Sequence, residues 1–316
     1  LSTDYTTLIY PGKRWIHQSG KGMAKFGYNQ INDRHLAKLI YFEDANEVFS
    51  AVSIPDGISI VVKDYHKASD SFIYEFYGKD GRHKILKEAK YPGANIFVMD
   101  PDDLPIATKI DEVVQKNQFK YIHDSPAINR QLFKIESNFV EKNPDKVTDY
   151  ISDEKIDFSR QIKLFTNDKA GKMGRATWFV ADKDVITYHK NLIGKWKVVV
   201  SSANAGGQKR DNQIQIIDNH SAFGRSRVAL KIFDSREEAE NFMKFATSYL
   251  IRFAFLLTDE NLSSLGKRVP DILNYRNDNP FINFSEDIDV QLFKLFKLND
   301  SEIKHIKLCV DNLRQK

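Results

Sequence analysis

The sequence predicts an α/β domain over residues 1–103 and an α+β domain of mixed strands and helices over residues 104–316. Three observations predict this. Short apolar strands and one helical pattern alternate before residue 100, a strand-rich basic stretch occupies the middle, and amphipathic helical patterns close the chain.

The first strand is expected at Leu8-Ile9-Tyr10, ended by the breaker pair Pro11-Gly12, and a helix at 23–35, where Met23, Phe26, Ile31 and Leu36 recur among polar neighbours. Leu39–Phe42, Ile58–Val62 and Phe72–Phe76 are β-branched or aromatic runs bounded by turn residues such as Pro55-Asp56-Gly57 and Asp80-Gly81. One helix among so many strands cannot complete a doubly wound sheet, so this domain is expected to be partial. Asp100-Pro101-Asp102-Asp103-Leu104-Pro105 is the strongest punctuation and sets the expected boundary, because each proline disfavours helix at the residue before it.

Beyond the boundary a helix is expected at 106–116, then strands at Ile162–Phe165, Ala176–Val180, Trp196–Val200 and Val228–Lys231. Ser235 followed by Glu238 has the spacing of a capping box, and Ala239, Phe242, Ala246, Tyr249, Leu250 and Phe253 continue at helical spacing, which predicts a buried helix over 236–257. Two more helical patterns run through Val290–Phe296 and Ile303–Val310.

Composition excludes several classes. With 316 residues, 41% hydrophobic and 12% aromatic, the chain can bury two cores and is not a disordered segment. Cys309 is the only cysteine, which excludes an internal disulfide and a cysteine-rich metal centre and fits a cytoplasmic protein. The eight histidines are scattered, so no metal site is expected. No apolar run reaches the ~18 residues of a membrane span. The sequence opens at Leu1 inside a strand-like pattern, as a piece of a longer polypeptide would.

Net charge is only +4, yet residues 160–231 hold 14 Lys and Arg against 5 Asp and no Glu, a local +9 that leaves the remainder at −5. Such a stretch suits a polyanion.

Several motifs carry a family resemblance. Tyr10-Pro11-Gly12-Lys13-Arg14-Trp15-Ile16, Gly20-Lys21-Gly22-Met23, Asn32-Asp33-Arg34, Ile40-Tyr41-Phe42, Val48-Phe49 and Ile58–Val62 resemble the later half of an amino-group DNA methyltransferase domain. Thr166–Arg175, Ser201–Gly207, Glu238–Phe242 and Tyr249–Phe253 are similar to the recognition domain that follows it in adenine-specific methyltransferases of fused type II (type IIG-like) restriction-modification systems. The resemblance implies a partial Rossmann-like methyltransferase sheet over 1–103 and a DNA target-recognition domain over 104–316. It also implies double-stranded DNA and the remainder of the restriction-modification polypeptide as partners. The cofactor of such an enzyme, S-adenosylmethionine, would bind elsewhere, because this chain has neither its Gly-rich loop nor the Asn-Pro-Pro-aromatic motif that holds a flipped adenine. Gly20-Lys21-Gly22 with Gly27 has no acidic residue placed to replace the loop, and Asn279-Pro280-Phe281 lacks the second proline. No catalytic, cofactor-binding or metal residue is therefore assigned.

The DNA-binding residues expected are Lys169, Lys172 and Arg175, in a Gly-containing loop where cations reach phosphates; Gln208, Lys209, Arg210, Asn212 and Gln213, which include the side chains that pair with guanine and adenine edges; and Arg225 and Arg227, after Gly224. Trp178 and Trp196 read as core residues of strands. Two other readings stay open. Asp80 with Glu88-Ala89-Lys90 has the letters of a Mg-dependent nuclease of a restriction system, although Lys87–Lys90 reads as a polar turn, and the basic surface could instead meet an acidic protein.

Overall fold

The computed structural model describes residues 4–18, 22–51, 54–127, 132–171, 173–201, 214–258 and 265–314, and divides into two compact units. The first comprises Leu1–Glu112 and Leu257–Arg268, the second Val113–Leu256 and Val269–Lys316. The division falls inside a helix, between Glu112 and Val113. The chain crosses it twice more, between Leu256 and Leu257 and between Arg268 and Val269.

In the first unit, β1 (Tyr5–Pro11), β2 (Leu36–Phe42), β3 (Ile58–Asp64), β4 (Ser71–Tyr77) and β5 (His83–Lys90) form one sheet in the order β1-β3-β2-β4-β5. β1 and β2 both run antiparallel to β3, with helix α1 (Met23–Ile31) as the crossover between them. Only β2 and β4 pair in parallel. The partial Rossmann-like sheet implied by the resemblance is not shown by this pairing. Residues 43–57, which among those described contain one short 3-10 turn at Ala45–Glu47 and no crossover helix, return the chain antiparallel into β3. Leu39, Val61, Tyr74 and Phe76 line the covered face of the sheet, packed with Trp15 and Ile31 from the α1 side.

β5 was unexpected, since its sequence reads as polar. It is an edge strand that puts Lys84, Lys87, Glu88 and Lys90 into solvent and buries only Ala89, and charges on an edge protect it from further pairing. Glu88 and Lys90 do lie on a strand, as a nuclease motif would require. Asp80, however, sits in the β4–β5 turn, where Tyr77 pairs with His83, and Glu88 lies five residues further along, ~17 Å away at ~3.3 Å per residue. The Asp80 carboxylate also accepts hydrogen bonds from the Arg82 N–H and Nε. These residues do not converge on one ion, whose oxygen ligands would all lie within ~2.5 Å of it.

Helix α2 (Leu104–Lys116) starts close to where the prolines predict. The second unit then runs through β6 (Lys120–Tyr121), α3 (Phe139–Lys142), β7 (Val147–Asp149), β8 (Gln161–Asn167), β9 (Ala176–Asp182), β10 (Trp196–Ser201), β11 (Ile214–Ile217), β12 (Ser221–Phe223) and β13 (Arg227–Phe233). Helices α4 (Arg236–Ala246) and α5 (Tyr249–Leu256), strand β14 (Pro270–Asp271), which pairs with β6, and helices α6 (Ile288–Leu295) and α7 (Asp300–Arg314) complete it. One sheet has the order β12-β8-β9-β7 and another β11-β10-β13. Ile162, Leu164 and Phe179 from the first and Val199, Ile217 and Ala229 from the second share one core.

Ser235 caps α4 as its spacing predicts, its hydroxyl accepting the Glu238 N–H at 3.2 Å. The single helix expected over 236–257 is instead two, broken at Thr247-Ser248. There the Thr247 hydroxyl donates to the Met243 carbonyl and the Ser248 hydroxyl to that of Phe245, so side chains take acceptors near the end of the helical ladder. Asn279 occupies a turn, its Oδ1 accepting from the Phe281 and Ile282 N–H groups.

Two expectations follow. A Cβ on Gly27 of α1 would lie 1.9 Å from the Trp15 carbonyl oxygen, so Gly27→Ala is expected to lower stability by ~1–3 kcal/mol, read as a fall in urea midpoint. Lys197, fully buried on β10, is pushed down to about 7 by desolvation, against 10.5 when exposed. The unfolded chain then binds a proton that the folded one lacks between these values, and stability rises with pH across that window. Measured from pH 7 to 10.5, the wild-type midpoint should climb relative to that of Lys197→Met.

Candidate nucleic-acid interface

The site grows from the end of β8. This strand pairs antiparallel with β9 until Asn167 meets Ala176, and the turn between them is closed by Asp168 and Arg175. The Asp168 N–H donates to the Arg175 carbonyl, while the Asp168 carboxylate accepts the N–H groups of Arg175 at 2.8 Å and Lys169 at 2.7 Å. Those bonds hold the carboxyl below its ordinary range, the one from Arg175 most. Gly171 adopts φ +81°, and a Cβ on Gly174 would fall 1.9 Å from the Lys169 carbonyl oxygen. The Ala170 N–H is anchored to Glu141 at 2.8 Å. The turn is thus built to one shape, with Lys169 and Arg175 exposed on it.

A second loop joins the first because β12 runs parallel to β8, Ser221 opposite Lys163 and Phe223 opposite Phe165. Gly224 follows, donating its N–H to the Phe165 carbonyl at 2.8 Å. It must be glycine, since a Cβ would lie 2.2 Å from Thr166 Oγ1. Residues 224–227 therefore emerge beside 168–175. Arg225 is half exposed and pairs with Glu136 at 2.9 Å. Arg227 lays its guanidinium 4.9 Å from the centre of the Phe165 ring and has no carboxylate partner among the described residues. Burial lowers its pKa, as expected for a desolvated, uncompensated cation.

Arg227 opens β13 opposite Ser201, the last residue of β10, and Ile214 opens β11 opposite Val200. The segment 202–213 accordingly leaves and re-enters the fold at this same end. Gln208, Lys209, Arg210, Asn212 and Gln213 belong to it and, like Lys172, lie outside the described residues.

Buried polar atoms without a partner among the described residues gather here as well: Thr166 Oγ1, Asn167 Oδ1, Gln215 Nε2, Ser226 Oγ and Arg227 Nε. A fold normally satisfies such groups, at ~1–3 kcal/mol for each failure, and their concentration at one end marks a place prepared for polar contacts. Thr166 and Asn167 entered the sequence reading only through the Thr166–Arg175 resemblance, and Gln215 and Ser226 gave no signal, because polar residues at strand ends are ordinary.

Much of the +9 read from the sequence is spent internally. Lys163 is buried between Asp153 and Asp218, at 3.0 and 2.6 Å. The Lys197 amine donates to the carbonyls of Leu192, Ile193 and Ser221. Lys183 donates to two carbonyls, while Lys190, Lys195 and Lys231 pair with Asp184, Asp234 and Asp271. Among the described candidates, Lys169, Arg175 and Arg227 remain without a carboxylate. Trp178 packs on Phe165 at 4.9 Å, a core contact.

If Arg227 is kept for a ligand, its removal should relieve the fold. Arg227→Met is expected to raise unfolding stability by ~1 kcal/mol, the usual gain when a functional, unpaired polar group is replaced by an apolar one of similar length. A fall in the denaturant midpoint would instead identify Arg227 as a structural residue.

No helix among the described residues is long and apolar enough to cross a membrane. No known family model matches the chain, and no curated protein does. Among solved structures it is similar to the type IIG restriction endonuclease BpuSI, with 9% identity and a TM-score of 0.35, covering 98% of this chain and 47% of that one. It is also similar to the type IIL restriction-modification enzyme MmeI, solved in complex with DNA, with 10% identity and a TM-score of 0.40, covering again 98% of this chain and 47% of that one. The chain spans about half the length of each.

Proposed function

We propose that this chain binds double-stranded DNA and selects the sequence on which an adenine-specific methyltransferase of a type II restriction-modification system acts. The observation that carries the reading is the convergence of 168–175, 224–227 and the two ends of 202–213 at the end of β8, with Lys169, Arg175 and Arg227 unneutralised there. Cations on a rigid turn position a duplex through its phosphates, and Arg, Asn and Gln side chains read base edges in the major groove. Lys169, Lys172 and Arg175 are assigned to phosphates. Arg210, Asn212 and Gln213, with Gln208 and Lys209, are assigned to reading the sequence. Arg225 is in reserve, tethered to Glu136 until DNA competes for it.

Methyl transfer is assigned to the remainder of the polypeptide. The chain supplies neither a Gly-rich loop followed by a suitably placed acidic residue nor an Asn-Pro-Pro-aromatic motif to hold a flipped adenine, so S-adenosylmethionine binding is assigned there as well. No step of the chemistry is routed through this chain. Its part is to bind and orient the substrate.

Selection of duplexes from a random-sequence pool by the purified chain tests the proposal. The expected result is an enriched motif whose affinity falls steeply with salt. Lys169→Ala and Arg175→Ala should each weaken all sequences alike and reduce the log–log salt slope by ~1, while Arg210→Ala relaxes preference at one position. Binding that is absent, or indifferent to salt, overturns it.

A further inference from the structure

At the tip of the β8–β9 turn stands Met173, 73% exposed, the most exposed large apolar side chain among the described residues. Three features separate it from an incidental surface methionine. It lies between the exposed cations Lys169 and Arg175, on the turn whose backbone is fixed by the Asp168 carboxylate, by Gly171 and Gly174, and by the Ala170 tether to Glu141. It sits in a loop at the cationic end of β8, with six residues of sequence beyond the Asp168–Arg175 closure, and three residues per arm reach at most ~10 Å. That reach matches the depth of a DNA groove, ~8 Å, and a two-stranded ribbon is narrow enough to enter the major groove. A rigid hairpin that sets cations against the two phosphate rails carries the residue between them onto the base pairs.

We infer that Met173 is a wedge: when the turn enters duplex DNA, its thioether side chain inserts at a base step and unstacks it. Methionine is among the apolar side chains that proteins place between bases, and its unbranched, polarisable chain adapts to the gap that a displaced base leaves. This inference rests on the DNA-binding reading above and deepens it. The turn would both hold the backbone and open the stack, lowering the work of rotating the target base out of the duplex for the methyl-transferring part of the polypeptide.

The test uses the full chain and the duplex recovered by the selection described above, resynthesised with 2-aminopurine at each position in turn. Fluorescence of this base rises when it unstacks. Wild-type chain is expected to raise it at one step, Met173→Leu to keep the rise, and Met173→Ala to lose it while duplex affinity stays within about tenfold of wild type, because the cations still hold the phosphates. Lys169→Ala should show the converse, weaker binding with the rise intact at saturation. Duplex bound with no rise at any position, or a full rise with Met173→Ala, overturns the wedge and leaves DNA binding standing. Failure to bind any duplex overturns both.

Discussion

The arrangement of the cationic end depends on a three-residue strand. β12 is too short to hold its place by ladder hydrogen bonds alone, and it is fixed from below by Lys197, whose buried amine takes the Ser221 carbonyl at 2.6 Å together with those of Leu192 and Ile193. Asp218, just ahead of β12, binds Lys163 and the Ser221 hydroxyl, and these bonds hold its carboxyl low even though burial opposes them. Two lysines that would serve as surface charge in an ordinary basic stretch therefore lock β12 parallel to β8. With that lock in place, Gly224 meets the Phe165 carbonyl and Arg227 meets the Phe165 ring.

Two kinds of cation consequently share one run of sequence. Those facing inward are matched by carboxylates and carbonyls and stabilise the fold, because a buried ion without partners would cost several kcal/mol. Those at the end of β8 are left unmatched beside buried polar atoms that also lack partners, at a cost to stability the fold tolerates only locally. Functional sites are where such local conflicts are retained. The same contrast separates Arg225, which Glu136 neutralises, from Arg227 two residues on.

In the first unit the chemistry is of another kind. The hydrophobic face of the five-stranded sheet is closed by α1 and Trp15, and its edge strand β5 presents lysines. Its polar networks serve structure: Arg82 gathers Asp80, Asp100 and Asp102, which raises its pKa and ties the β4–β5 turn to the proline-rich segment. Letters that match a nuclease pattern are thereby placed at opposite ends of one strand.

Local physics was legible in the sequence wherever one element decided its own fate. The strands β1 to β4, β8, β9, β10 and β13, the cap at Ser235 and the two C-terminal helices follow from apolar period and turn chemistry within a few residues. The loop 168–175 could also be singled out, because glycines and cations stand side by side there. Partner choice was not legible. β5 became a strand through pairing with β4, β12 through Lys197, and the helix over 236–257 broke through two hydroxyls. Which lysines and arginines are surface charge was decided by carboxylates such as Asp153, Asp234, Asp271 and Glu136, which lie outside residues 160–231 in sequence and meet them only in the folded chain. Sequence fixes how much charge a segment carries; only tertiary structure decides how much of it remains to face a ligand, because neutralisation falls off within a few ångströms and depends on who is adjacent in space.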